Sequence, residues 1–182
     1  MNFKRFFDLF FSLFLLVIAS PVLLCGYIVA SLDTKSNGVF TQKRVGQYGR
    51  LFTIYKFKTI HPKTKQISRA GKFLRKSKID ELPQLFNVLF GTMSLVGPRP
   101  DIPGYYDTLQ GENRKILELK PGITSEASIK YANEEVVLEQ QPNPLQYNDE
   151  VIFPDKVKMN LEYYYKQSFW LDLKILFKTI FR

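Results

Sequence analysis

Two acids stand side by side in "SKIDELPQLFNVLFG", residues 77–91: Asp80 and Glu81, at the head of an apolar stretch. Taken alone, the pair is an ordinary helix start. Asp80 suits the N-cap, where the helix dipole favours its ionised form. Pro83 then falls in the first turn, where backbone donors are free anyway. Ser77 is the alternative cap, but it would set Pro83 deeper in the helix. The surroundings ask for more than a cap. Arg75, Lys76 and Lys78 come immediately before the pair. Lys56 and Lys58 alternate in "FTIYKFKT", so on a strand both point to one face. Arg99 lies in "GPRPD", where prolines stiffen the backbone. Arginine grips phosphate with a planar fork, and lysine supplies a point charge. Two carboxylates among such cations suit a diphosphate with a hard divalent metal, because Mg2+ needs only one or two carboxylates beside substrate phosphates. A carboxylate can also be the nucleophile in phosphoryl transfer.

The charge pattern of the whole chain agrees. The net charge is +9, yet residues 34–79 hold thirteen of the 26 bases and no acid, while the other thirteen bases face all 17 acids. A one-signed block means a polyanionic partner: nucleic acid, anionic lipid head groups or a phosphorylated substrate. A solubilising surface would mix both signs. With 45% apolar and 24% charged residues the chain is not disordered. Its 182 residues suit one compact domain with attachments. One cysteine, Cys25, allows no intrachain disulfide and no cysteine cluster for zinc or iron–sulfur, and one histidine, His61, excludes a two-histidine metal site.

What must position the acids begins with the segment before them. From Leu9 to Leu32 there is no charge: "LFFSLFLLVIASPVLLCGYIVASL". As a helix it would reach roughly 36 Å, against about 30 Å for a hydrocarbon core. It is too long for a signal-peptide core, and too apolar on every face for a small domain to cover. Ser20-Pro21 breaks it near the middle, because proline removes a backbone donor and clashes with the preceding turn. Lys4 and Arg5 flank one end; Lys35, Lys43 and Arg44 flank the other. Basic residues keep to the cytoplasmic side. The expectation is a re-entrant helix–break–helix over residues 1–33 that dips into one leaflet and returns. The Ser20 hydroxyl is placed to serve the backbone exposed at the break.

The remainder, residues 34–182, reads as a cytoplasmic catalytic domain of α+β class, mainly helical. "GVFTQ" and "LFTIYKFKT" form a small β-hairpin around "VGQYG". A short basic helix follows over 68–78, then a helix from about Asp80 to Phe90 stopped by Gly91. "SLVGPRPDIPGYY" reads as a loop, "ENRKILELK" as a short helix and "PGIT" as a turn. Residues 157–181 close the chain as one helix. Its last part puts Phe169, Trp170, Leu173, Leu176, Phe177 and Ile180 on one side, and Lys174, Lys178 and Arg182 on another. Such a helix can lie in a membrane interface, dock on its own core, or do both with different turns.

These pieces carry a resemblance. "KRFFDLFFSLFLLVIASPVLL", "VFTQKRVG", "FTIYKFKT", "KIDELPQLFNVLFGTMSLVGPRP", "KPGIT" and "YYYKQSFWLDLKIL" run almost end to end, and together the chain resembles the bacterial sugar transferases, specifically the small monotopic phosphoglycosyl transferases. The resemblance implies that Asp80 attacks the phosphate of a UDP-sugar nearest the sugar and expels UMP. Polyprenyl phosphate, here undecaprenyl phosphate, then takes the phosphosugar from the aspartate. Mg2+ with Asp80 as a ligand would screen the diphosphate. Lys56, Lys58, Arg75 and Arg99 match basic positions suited to the phosphates, and Glu81 would help with the metal or a proton. It further implies the bacterial inner membrane, catalytic domain on the cytoplasmic face, anionic lipids as neighbours and the first membrane step of a surface-glycan or glycoprotein pathway, such as exopolysaccharide or O-antigen. The oligomeric state stays open, a homo-oligomer included. "PGITSEASIKYANEE", residues 121–135, departs from the Gly-Trp-Ala-Gln that follows "PGIT" in many relatives, so sugar specificity does not carry over. The chain resembles the minimal catalytic form, without the extra transmembrane helices of larger members.

Two rivals use the same residues differently. A membrane-anchored nucleic-acid-binding module would employ the basic block with Phe52, Tyr55 and Phe57 as stacking platforms. A purely structural peripheral protein would bind anionic lipid through it. Neither uses the acid pair or the "GPRP" loop, so nucleic acid is not expected as a partner.

Overall fold

A computed structural model of the chain describes residues 3–181. The fold is mainly helical with two small sheets, hence α+β. Packing divides the described residues into two compact units. One comprises the residues up to Arg44 together with Leu51–Met93; the other comprises Val45–Arg50 and the residues from Ser94 onward. This division follows packing, whereas the boundary expected at residue 33 follows hydropathy.

The first unit begins with α1, Phe3–Ile18, and α2, Ser20–Thr34, bent by 66° at the break. Pro21 sits in the first turn of α2, where it costs no hydrogen bond. The Ser20 hydroxyl donates to the Val17 carbonyl at 2.8 Å, as the break requires. No single helix among the described residues is long and apolar enough to cross a membrane; the bent pair reaches that length only together. The inward face of α1 is mixed: Asp8 and Ser12 are buried along with Leu16, while Phe6 and Phe10 are 56% and 55% exposed. A helix that buries an acid and a hydroxyl while exposing rings departs from the usual amphipathic pattern. The face of α2 that packs inward is small, at Gly26, Ala30 and Thr34.

Strands β1, Val39–Val45, and β2, Leu51–Phe57, pair as the expected hairpin. Helix α3, Arg69–Lys76, starts at Ser68, whose hydroxyl accepts from the Gly71 N–H at 3.0 Å. After a tight turn comes α4, Gln84–Leu89. Ala30, Phe57 and Leu74 form a buried cluster, with Leu23 and Ile79 against it. Gly26 is required here. A Cβ on it would fall 2.6 Å from the Phe57 ring and 3.3 Å from Ile79, so α2 lies directly on the turn that precedes α4.

In the second unit, β3, Ser94–Val96, pairs in parallel with β4, Gly122–Thr124. Both strands were expected as loop and turn. At three residues each they are too short to show alternation, and the partner lies 28 positions away, as the Ser94–Gly122 register records. A Cβ on Gly122 would come within 2.1 Å of the Gly97 nitrogen, so only glycine permits this pairing. The expected helix in "ENRKILELK" is a 3-10 helix, Gly111–Glu118. Short helices α5, Glu126–Lys130, α6, Glu134–Glu139, and α7, Pro144–Tyr147, lead to α8, Phe153–Lys166, and α9, Phe169–Ile180. The single closing helix is therefore two. The break comes at Gln167 and Ser168, where the Ser168 hydroxyl accepts from the Leu171 N–H and caps α9. Val45, Tyr106, Ile116, Leu117 and Val157 form the core of this unit. Helix α9 docks through Asp172, Ile175 and the Thr179 hydroxyl, which meets that of Thr124 at 2.8 Å. Trp170, Leu173, Phe177 and Ile180 stay exposed. Arg182 lies outside the described residues.

Candidate active site

The acids do not start the helix. Lys78 adopts the left-handed conformation at φ 58°, which reverses the chain after α3. A side chain is uncommon in that region and costs strain, of the kind that collects at functional sites. Ile79–Glu81 then form one 3-10 turn, Leu82 and Pro83 continue in helical dihedrals, and Pro83 is the cap of α4. Asp80 is thus inside the turn, not at the N-cap, and makes no capping bond. Ser77 closes α3 instead, its hydroxyl donating to the Phe73 carbonyl at 2.8 Å. Sequence reasoning missed this because it read a single helix where two turns of different pitch meet.

The result buries Asp80 to 9% exposure, with Oδ1 sealed from solvent and without a hydrogen-bond partner. Burial pushes its carboxyl above the ordinary carboxylate value, and the neighbouring Glu81 charge adds to that. Lys56, Lys78 and Arg75 pull it part of the way back. Glu81 is held apart by an ion pair with Lys56, 2.9 Å from Nζ to Oε1, both side chains mostly buried. Lys58 donates to the Ser36 hydroxyl at 2.9 Å. The first unit therefore brings together Asp80, Glu81, Lys56, Lys78 and Arg75. Arg99 belongs to the second unit, in the loop after β3, where it lines a small cleft with Val45, Tyr106, Leu117 and Pro121.

The rigid support of the turn comes from α4. The Asn87 side chain accepts from the Tyr55 N–H at 3.0 Å and donates to the Thr53 carbonyl at 2.7 Å, so it completes the β2 edge as another strand would. Arg5 donates to the Val88 and Leu89 carbonyls at 2.6 and 2.9 Å, placing a cation on the negative end of α4. Gln84 is 2% exposed, and its Nε2 has no partner. A buried polar group left unmatched costs about 1–3 kcal/mol. Sequence reasoning named neither Gln84 nor Asn87. Their signal was there: two amides in the apolar run "LPQLFNVLFG".

Among the described residues no group of three or more His, Cys, Asp or Glu side chains could hold a metal by itself. A hard divalent cation that draws most of its ligands from substrate phosphates and water fits the pair, because such an ion needs only one or two carboxylates.

The family described as bacterial sugar transferase matches residues 1–182. A sugar transferase of Bacillus subtilis whose function is uncharacterised is 36% identical, over 97% of this chain and 85% of its own length. The UDP-glucose:undecaprenyl-phosphate glucose-1-phosphate transferase of Klebsiella pneumoniae is 36% identical over 100% of this chain and 40% of its own. The undecaprenyl-phosphate galactose phosphotransferase of Salmonella typhimurium is 30% identical over 97% and 39%. The chain thus spans less than half the length of these two enzymes.

Proposed function

The chain belongs to the bacterial sugar transferase family, and on that premise we propose that it transfers a sugar 1-phosphate from a UDP-sugar to undecaprenyl phosphate, releasing UMP. The observation that carries the reading is Asp80: a buried carboxylate with an unmatched oxygen, surrounded by Lys56, Lys78 and Arg75. The activities named for the Klebsiella and Salmonella relatives suggest the acceptor, and the former also the donor class.

In this mechanism Asp80 attacks the phosphorus nearest the sugar. The bond from that phosphorus to the bridging oxygen breaks, and UMP leaves with the electron pair. The phosphosugar remains as an aspartyl ester until a phosphate oxygen of undecaprenyl phosphate attacks the same phosphorus and returns the carboxylate. Two displacements with a covalent intermediate predict ping-pong kinetics. Phosphoryl transfer needs positioning and charge neutralisation more than elaborate side-chain chemistry. Arg75 and Lys58 serve the diphosphate, and Lys56 steadies Glu81 beside the nucleophile. Mg2+, held by Asp80 with help from Glu81, would supply charge neutralisation to the diphosphate. The acid pair must reach both a lipid and a soluble nucleotide. The ring-bearing outer faces of α1 and the exposed Trp170, Phe177 and Ile180 of α9 fit a re-entrant anchor and an interface helix at the cytoplasmic face of the inner membrane.

The test is UMP release by the detergent-purified protein with undecaprenyl phosphate and a panel of UDP-sugars, followed by mass analysis of the Asp80 peptide. One UDP-sugar should release UMP and leave a phosphosugar on Asp80. Silence with every donor overturns the reaction; turnover with an unmodified, dispensable Asp80 overturns the nucleophile.

A further inference from the structure

Asp80 and Gln84 carry complementary orphans. Oδ1 of Asp80 is an acceptor and Nε2 of Gln84 a donor, both buried and neither bonded. The two residues lie four positions apart on one helical run from Ile79 through α4. Both side chains are buried, at 9% and 2% exposure. The turn between them is tightened by i to i+3 bonds, Leu82 N–H to Ile79 carbonyl at 3.2 Å and Leu85 N–H to Leu82 carbonyl at 3.0 Å. Their neighbours are otherwise committed. Lys56 is on Glu81, and Asn87 is spent on the β2 edge. Ile79 is pinned against Gly26 of α2.

We propose that Gln84 is the positioning residue of the nucleophile: its side-chain N–H swings onto Asp80 Oδ1 and holds that oxygen inward, so that Oδ2 faces the phosphorus. A carboxylate free to spin presents either oxygen at any angle; one tied at Oδ1 has a single orientation. Lys56, Lys78 and Arg75 act on Asp80 through charge, and none of them bonds Oδ1. The inference rests on the proposed chemistry of Asp80.

The experiment is Gln84→Met, near in volume and without a donor, with Gln84→Leu as a second form. UMP release and the Asp80 adduct in the wild type test the underlying reaction; the variants then test Gln84 alone. The rate of adduct formation in a single turnover should fall on the order of tenfold to a hundredfold. KM for the UDP-sugar should stay within about threefold, since uniform binding is untouched. The melting temperature should hold or rise, because an unmatched buried amide has been removed. A variant that forms adduct at the wild-type rate overturns the proposal. So does one in which rate and melting temperature fall together in both forms, which marks Gln84 as a packing residue.

Discussion

In the second unit, buried polar groups find partners. Asn160 donates to the Tyr106 hydroxyl at 2.8 Å, and the Tyr163 hydroxyl donates to Asp172 at 2.5 Å. Thr124 meets Thr179. In the first unit, Asp80 Oδ1 and Gln84 Nε2 are buried and find none. The contrast separates a scaffold from a working surface. A matched network adds to stability and fixes one geometry. An unmatched acid beside an ion pair and two further bases is kept at a cost in stability, and that cost is intelligible when the site is completed only with substrate bound.

The strongest way to break this comparison is Asp80→Asn. Turnover should fall on the order of a thousandfold or more, while denaturant unfolding shows the variant at least as stable as wild type. The stability should depend on pH with a definite sign. The folded state holds the Asp80 proton above the ordinary value of 3.8. Its contribution to wild-type stability is therefore full below that pH and is lost as pH rises through the elevated folded value. Wild type should lose stability relative to Asp80→Asn over that window, measured without added divalent cation; a parallel pair of pH profiles would remove the unmatched-acid argument. Next comes Gly122→Ala. Its Cβ meets the backbone at Gly97, so unfolding should come about 3 kcal/mol earlier, with activity falling only as the folded fraction falls. Asn87→Ala should cost about 2 kcal/mol by stranding the Tyr55 N–H and should slow turnover beyond its effect on stability, because α4 loses its grip on β2. Tyr163→Phe sharpens the contrast at the small end: about 1.5 kcal/mol by denaturation, with turnover per folded molecule unchanged.

The sequence carried the hairpin and the break at Ser20-Pro21, because each has a local signal, β-branched alternation and a proline, and the basic helix expected over 68–78 runs from Arg69 to Lys76. It placed Asp80 and Glu81 at the start of an apolar run and put Arg75 and Lys56 near them. What it could not carry was the pitch of that run. Helices α2 and α3 and strand β2 all pack against the turn Ile79–Glu81 that follows the left-handed Lys78, and no propensity of Lys records a tertiary demand. The β3–β4 pair was hidden by its length, and the division of the last helix by Gln167 and Ser168, which read equally well as its polar face. Gln84 was in plain sight as a polar residue in an apolar run, but only burial without a partner gives it meaning.

Arg5 grips α4 across 83 and 84 positions of sequence. As the chain leaves the ribosome, α1 emerges well before α4, and the two Arg5 bonds wait for it. Contacts so distant in sequence close late, and synthesis at about 5–20 residues per second makes the wait several seconds. A chain stopped before residue 88 therefore has α1 without the α4 carbonyls that Arg5 holds in the finished fold.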